Sequence, residues 1–535
     1  MTENSDLPES SNHEGRLIRK ADTLSVMFYI YHNLGIQSNV VVSAKYSNSN
    51  ALLTPSKVRR ALKKVINQHP ALSIIGVTRP SIKNPGHHRT WEGHLPVINF
   101  RDCVEFRDVD LDSDEQLSSI IAGIHNTWFD TKDKTKPLWK LVVLNQKTVV
   151  FAFHHFISDG LSGYAFHRAL TSALNEEDGV PNETEDGMDS ESVTTPRIDP
   201  AALHHPMYEL EEKLSWPSVI SGFLFWILIR LIFSSTSFFF SNIKMPLTLP
   251  TVAKPLPGSE KTITRVRILR IHASTMSKAL SGCRSHETSF SALLLTLVQI
   301  TLAAEEYPQA KFGFSRLAIS VRDLLKKENR IGKDEMVNAS ASYFGAHRLG
   351  RFREADNGMS STAGKTGNEG KEQVWESAKQ FKSDINKDLY VDKNTQKALC
   401  QCKLMGEDDE EVGKFTGMAL YQKNSFLVSN LGAFEPKEPR DSKEMVEEEG
   451  GEGKWKVKDI LFSVGAVNAN IYSPMAFNVA SAKGGDCVIC ANWQEGVLEE
   501  KIEGYLVEVV AELSTNFAIM VKLSLFFLSS NPSGY

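Results

Sequence analysis

The sequence predicts an α/β protein of two domains, and three observations carry the prediction. At 535 residues with 41% hydrophobic content, the chain is too long for one core and apolar enough for two, of about 200 residues each. Uncharged β-branched and aromatic runs, which read as strands, alternate with segments whose apolar residues recur at helical spacing. An acidic stretch punctuated by Pro and Gly, 175–200, holds almost no large apolar residue and reads as a linker or mobile loop. The expected boundaries are a disordered polar arm at 1–15, a first domain at 16–200, a hydrophobic linker at 201–257, a second domain at 258–515 and an apolar tail at 516–535.

In chain order, 22–32 reads as a helix and 39–44 as a strand. Leu53-Thr54-Pro55 opens a helix that stops at His69-Pro70, before a strand at 73–78. Strands at 138–144 and 149–153 flank a tight turn at Asn145-Gln146-Lys147-Thr148. The second half restarts with an alternating strand at 262–268, then helices at 272–283 and 288–304, with Ser289 near the start of the latter. A strand at 312–321 leads into Arg322, and another, 426–432, runs into a turn at Ser429-Asn430-Leu431-Gly432. Stretches 350–370 and 435–453 are charged and Gly-rich and read as insertions, with Glu447-Glu448-Glu449 a solvated loop tip. Strands at 462–468, 476–482 and 486–493 are expected in the second sheet, followed by a helix at 502–518.

One junction carries chemistry. Val149 to Phe153 is a strand with no charge, so it is expected to be buried on both faces, and it runs into His154-His155-Phe156-Ile157-Ser158-Asp159-Gly160. Ser158-Asp159-Gly160 forms a turn, with Gly160 expected to supply a positive φ, and a helix follows from about Gly163. An imidazole at the mouth of an apolar strand stays neutral and can accept a proton near pH 7. A buried aspartate there needs a cation and backbone donors.

The pattern His154-His155-x-x-x-Asp159-Gly160 resembles the HHxxxDG motif of the CoA-dependent acyltransferase superfamily. That superfamily includes chloramphenicol acetyltransferase, peptide-synthetase condensation domains and fungal alcohol acetyltransferases, and the fungal enzymes are the most similar in the order of elements. The resemblance implies two chloramphenicol-acetyltransferase-like domains, mixed sheets flanked by helices, with an active-site tunnel between them. It implies His155 as general base and Asp159 as its structural support, with His154 and Gly160 completing the motif. Arg322 matches an arginine that pairs with the motif aspartate, and Ser429 or Asn430 would line the tunnel or donate to the oxyanion; a structural turn is the alternative for the last two.

The implied reaction is direct transfer of an acetyl group from acetyl-CoA to a small lipophilic alcohol, with no tightly bound cofactor. The same base would serve an amine acceptor or water, and a non-catalytic member could also keep the motif. Acyl-CoA and the alcohol are the expected partners of a monomer. The run 219–240 has the hydropathy of a membrane span, but a single crossing would part the two halves of one site, and Arg230 adds a cost. A membrane or lipid-droplet surface touched by 219–240 and 517–528, a cover over the substrate entrance, or a buried interdomain helix remain as readings. The expected location is cytoplasmic, peripheral on endoplasmic reticulum or lipid droplets.

A net charge of -5 gives no electrostatic case for nucleic acid. Six cysteines without a disulfide framework indicate a reducing compartment. Cys487-x-x-Cys490 and Cys400-x-Cys402 are not expected to bind metal, since the first pair would point to opposite faces of a strand. His204-His205 is expected to be exposed. No G-x-S-x-G occurs, and Gly364-Lys365-Thr366 lacks the spacing of a phosphate loop.

Overall fold

The computed structural model describes residues 16–111, 113–177, 191–210, 212, 216–243, 261–360, 366–416, 422–436, 453–469 and 471–498. The expected arm 1–15, the acidic tip 447–449, the helix 502–518 and the tail 516–535 lie outside the described residues.

Two antiparallel strands, Trp139–Leu144 and Thr148–Phe153, form the centre of the first sheet. Their turn needs left-handed backbone at Asn145 and Gln146, with φ of 50° and 54°, and the Asn145 amide secures it by bonding both backbone groups of Val109. The strand Val40–Ser47 pairs with Thr148–Phe153 on one side, and Val104–Arg107 adds in parallel on the other. Helices Pro55–Gln68 and Gly160–Glu177 cover one face, where Leu62, Val65, Phe166 and Leu170 meet Phe151 and Phe153. Thr54 caps the first of these helices on the Lys57 amide.

The second sheet runs in the order Thr264–Ile271, Cys487–Gln494, Met475–Ala482, Ser425–Phe434, Phe312–Ser320, Ser340–Arg348. Helix Phe290–Thr301, capped by Ser289 on the Ala292 amide, packs against it beneath helix Thr366–Asn386. The facing sides of the two sheets share a third core. Val142, Val150 and Leu461 of one sheet and Ile268, Val488 and Cys490 of the other close around Ile121 and Ile124 of helix Asp114–His125. Cys487 packs in the outer core and Cys490 in this shared one, so the two thiols occupy opposite faces.

Several expectations are corrected. The strand expected at 462–468 is Lys456–Val464, and it does not join the second sheet: it pairs antiparallel with Val40–Ser47 and completes the first. Both of its ends are chosen by a partner far away in the chain, which local alternation cannot name. A division of the chain into 16–200 and 258–515 therefore does not follow sheet membership. The expected insertion 350–370 contains helix Gly350–Ser360 and the start of Thr366–Asn386, whose Val374, Ala378 and Phe381 are buried in the second core. Within the linker 175–200, Ser192–Thr194 pairs with Val97–Asn99. His204 and His205 are partly buried, and His204 lies 3.2 Å from Glu209 and 3.3 Å from Glu335.

Candidate active site

The strand Thr148–Phe153 delivers His154 and His155 to the seam between the two sheets. His154 turns inward and is fully packed. Its Nδ1 accepts from the Phe156 amide at 2.9 Å, and its ring lies among His32, Tyr29 and Phe129. His154 shapes the turn and does not face the cavity. Its burial, with His32 and His155 adding in the same sense, holds its pKa well below the ordinary value.

His155 is half-buried, and its ring stacks flat on Phe28, with centroids 3.7 Å apart and planes at 3°. Its carbonyl accepts from the Asn338 amide at 2.9 Å, which ties the motif to the second half of the chain. Nδ1 is sealed inside, leaving Nε2 for the cavity. Burial pushes the His155 pKa down to about 4, and the Asp159 charge with the carbonyls of His155 and Ser158 offsets only part of that. The ring is therefore neutral at pH 7.

Asp159 borders the cavity, and its carboxylate is held by a closed set of donors. Arg322 grips it with both Nη atoms, at 2.6 and 3.0 Å, and Ser162 Oγ, the Ser162 amide and the Ala339 amide complete the shell at 3.0, 3.1 and 3.0 Å. Burial alone would raise its pKa, but Arg322 and these bonds outweigh it and hold the carboxyl below its usual value. Both side chains of the pair are about 6% exposed. The turn then enters helix Gly160–Glu177 directly at Gly160, earlier than expected. Gly160 does not supply a positive φ. It is needed because a Cβ there would sit 2.9 Å from Leu431 and Phe462, both from the second half of the chain.

A cavity opens between the sheets, with His155 in its wall beside Phe28, Tyr31, Ser320, Ser429 and Tyr472. The strand Ser425–Phe434 does not end at the expected turn. It bulges between Asn430 and Ala433, with Gly432 at φ 74°, and continues to Phe434. Both Ser429 and Asn430 line the cavity, but the Asn430 amide is engaged, accepting from the Gly432 amide at 2.8 Å and donating to Ser291 at 2.9 Å. Phe28 and Asn338 were not found by sequence reasoning, because neither belongs to a motif. Among the described residues His87, Asp408 and Glu411 come within metal-binding reach, but Asp408 already accepts from Ser81 and Asn84, and Glu411 caps the Glu407 amide.

Two sheets that share a core, with a neutral histidine in the cavity between them, place the chain among the two-domain, chloramphenicol-acetyltransferase-like acyltransferases. A structure of a trichothecene 15-O-acetyltransferase from Fusarium sporotrichioides superposes with a TM-score of 0.62 over 96% of this chain and 99% of that one, at 13% identity. The epimerization domain of tyrocidine synthetase B gives 0.56 at 12% identity, covering 96% and 99%. By sequence, the probable alcohol acetyltransferase crmB of Aspergillus fumigatus is 24% identical over 499 residues, 88% of this chain and 93% of that protein. The probable alcohol acetyltransferase FCK4 of Fusarium pseudograminearum is 22% identical over 91% and 93%. The profile of the alcohol acetyltransferase family matches residues 20–512, and the chain belongs to that family.

Proposed function

We propose that this acyltransferase moves an acetyl group from acetyl-CoA to the hydroxyl of a lipophilic alcohol, with His155 as the general base. The observation that carries the reading is the His155 ring itself: neutral, clamped on Phe28, with one nitrogen left for a largely apolar cavity. Nε2 would take the proton of the acceptor hydroxyl as its oxygen attacks the thioester carbonyl. The Ser429 hydroxyl would donate to the oxyanion, collapse would expel the CoA thiolate, and the imidazolium would return its proton to the sulfur. No nucleophile of the protein is required. His155→Ala should lower ester formation from acetyl-CoA and mixed alcohols by about 100-fold or more, with an unchanged melting profile. Full activity in that variant would refute the assignment. Acetate released without any alcohol would instead favour hydrolysis, and product formed only from amines would favour N-acetylation.

We also propose that helix Trp216–Ile232 rests on a lipid surface. Its 17 residues reach about 25 Å, less than a span needs, and among the described residues no single helix is long and apolar enough to cross a membrane. Ile229 anchors it to Phe238 and Phe314, while Ile220, Leu224, Leu228 and Leu231 form an exposed stripe that Phe225 and Ile232 widen on one side. An exposed apolar face this broad, on a helix too short to span, suits a helix lying in the headgroup boundary of a bilayer. Replacing Leu224, Leu228 and Leu231 by Ser should abolish co-sedimentation with phosphatidylcholine vesicles and leave acetylation of a water-soluble alcohol unchanged. Equal vesicle binding by the variant would refute this.

A further inference from the structure

Two arginines of the second half are almost equally buried, six residues apart, yet only one has its anion. Arg322 is 5% exposed and is matched by Asp159 through both Nη atoms. Arg316 is 8% exposed, and among the described residues it forms no hydrogen bond and no ion pair; its Nη1 is sealed from solvent with no acceptor in reach. Its guanidinium instead lies over the ring of Tyr472, 4.0 Å from the centroid. That stacking offsets part of the cost of burying a charge but leaves the guanidinium donors unused.

The position of Arg316 says where the missing anion would be. Arg316 is not itself in the cavity wall, but it lies on strand Phe312–Ser320 two residues before Ala318, which with Ile319 and Ser320 lines the cavity, and it sits opposite Leu427, another lining residue. Tyr472 is part of the cavity wall, and so is Tyr31, whose hydroxyl feels the Arg316 charge. Ser320, near the Arg322 guanidinium, marks the catalytic end, and four strand residues put Arg316 about 13 Å further along. From His155 the wall runs over Phe28 and Tyr31 toward that point.

We infer that Arg316 is a binding residue for an anionic group, phosphate or carboxylate oxygens, carried by one of the two substrates and held at the end of the cavity remote from His155. A planar guanidinium with free donors fits either group in a two-point bond. The phosphates of the thioester donor and a carboxylate on the acceptor alcohol are the two sources. The identity of these ligands rests on the transferase reading above, but the test reads binding, so the two can fail separately.

The test compares wild type, Arg316→Met and Arg316→Lys by calorimetry with four probes: CoA, pantetheine, a long-chain ω-hydroxy acid and its methyl ester. Arg316→Met should bind one of the two anionic probes at least about tenfold more weakly, while its neutral counterpart binds as in wild type. Loss for CoA alone assigns the donor, and loss for the hydroxy acid alone assigns the acceptor. Arg316→Lys, which keeps the charge without the fork, should fall between, and it serves alone if the Met variant does not fold. Unchanged affinity for both anionic probes, or equal losses for charged and neutral probes, would overturn the inference and leave Arg316 a packing residue.

Discussion

At Asp159 every lone pair that matters has a donor, and the principal donor comes from the other half of the chain. Removing one partner of such a pair leaves a buried charge uncompensated, so Asp159→Ala should cost about 3 to 5 kcal/mol in chemical denaturation and displace the histidine turn. Replacing Asp159 by Leu and Arg322 by Met together should recover much of that stability without restoring activity. A fully stable single variant would show that the pair does not brace the site. Asp159 and Arg322 were legible because a motif names one and a strand end suggests the other. Phe28 and Asn338 were not: what lies over a ring or reaches a carbonyl is decided by packing between distant segments, which no local pattern encodes. Gly160 was legible as necessary, but for the wrong reason, since close approach rather than φ demands it.

The strand Ser425–Phe434 shows how one element assigns different work to adjacent residues. Ser429 and Asn430 are consecutive in regular register and so point to opposite faces; the bulge that follows engages the Asn430 amide with the Gly432 backbone and Ser291. Ser429→Ala should therefore lower kcat by about 100-fold with little change in stability, whereas Asn430→Ala should cost about 1 kcal/mol of stability. Steady-state kinetics and denaturation separate the two, and an Asn430→Ala protein with low kcat and unaltered stability would reverse the roles. Most helices and strands were readable from periodicity and caps, as at Thr54 and Ser289. The crossing strand Lys456–Val464 and helix Thr366–Asn386 were not, the first because its partner is remote, the second because polar residues and glycines at its start mask its apolar face.

The two halves of the molecule meet through a buried polar chain as well as through a shared core. His125 bonds Asn39 and Ser463, each at 2.7 Å, and Ser463 accepts from Asn492 at 2.8 Å in the second sheet. Burial pushes His125 and His347 down to about 3, and His155 and His167 to about 4, from an ordinary 6.5. Between 6.5 and these values the unfolded chain takes up protons that the folded one refuses, so stability falls as pH drops through this window. The melting temperature should be level near neutrality and decline steeply below about pH 6. Activity should be lost at acid pH together with the fold, because His155 itself stays neutral until about 4. A melting temperature constant down to pH 4.5, about two units below an ordinary histidine, would contradict this.

The crossing strand ends at Val464 in one sheet, and the chain re-enters the other at Met475. Between them lies a belt whose Gly465, Val467, Tyr472 and Pro474 touch the cavity, and which is pinned at Gly465 to Asn39 and at Asn468 to Ile36. A tether fastened at both ends limits how far its anchor points can part. The width of this cavity is thus gauged by a fixed length of backbone, and on the proposed reading a longer belt should let bulkier acceptors in.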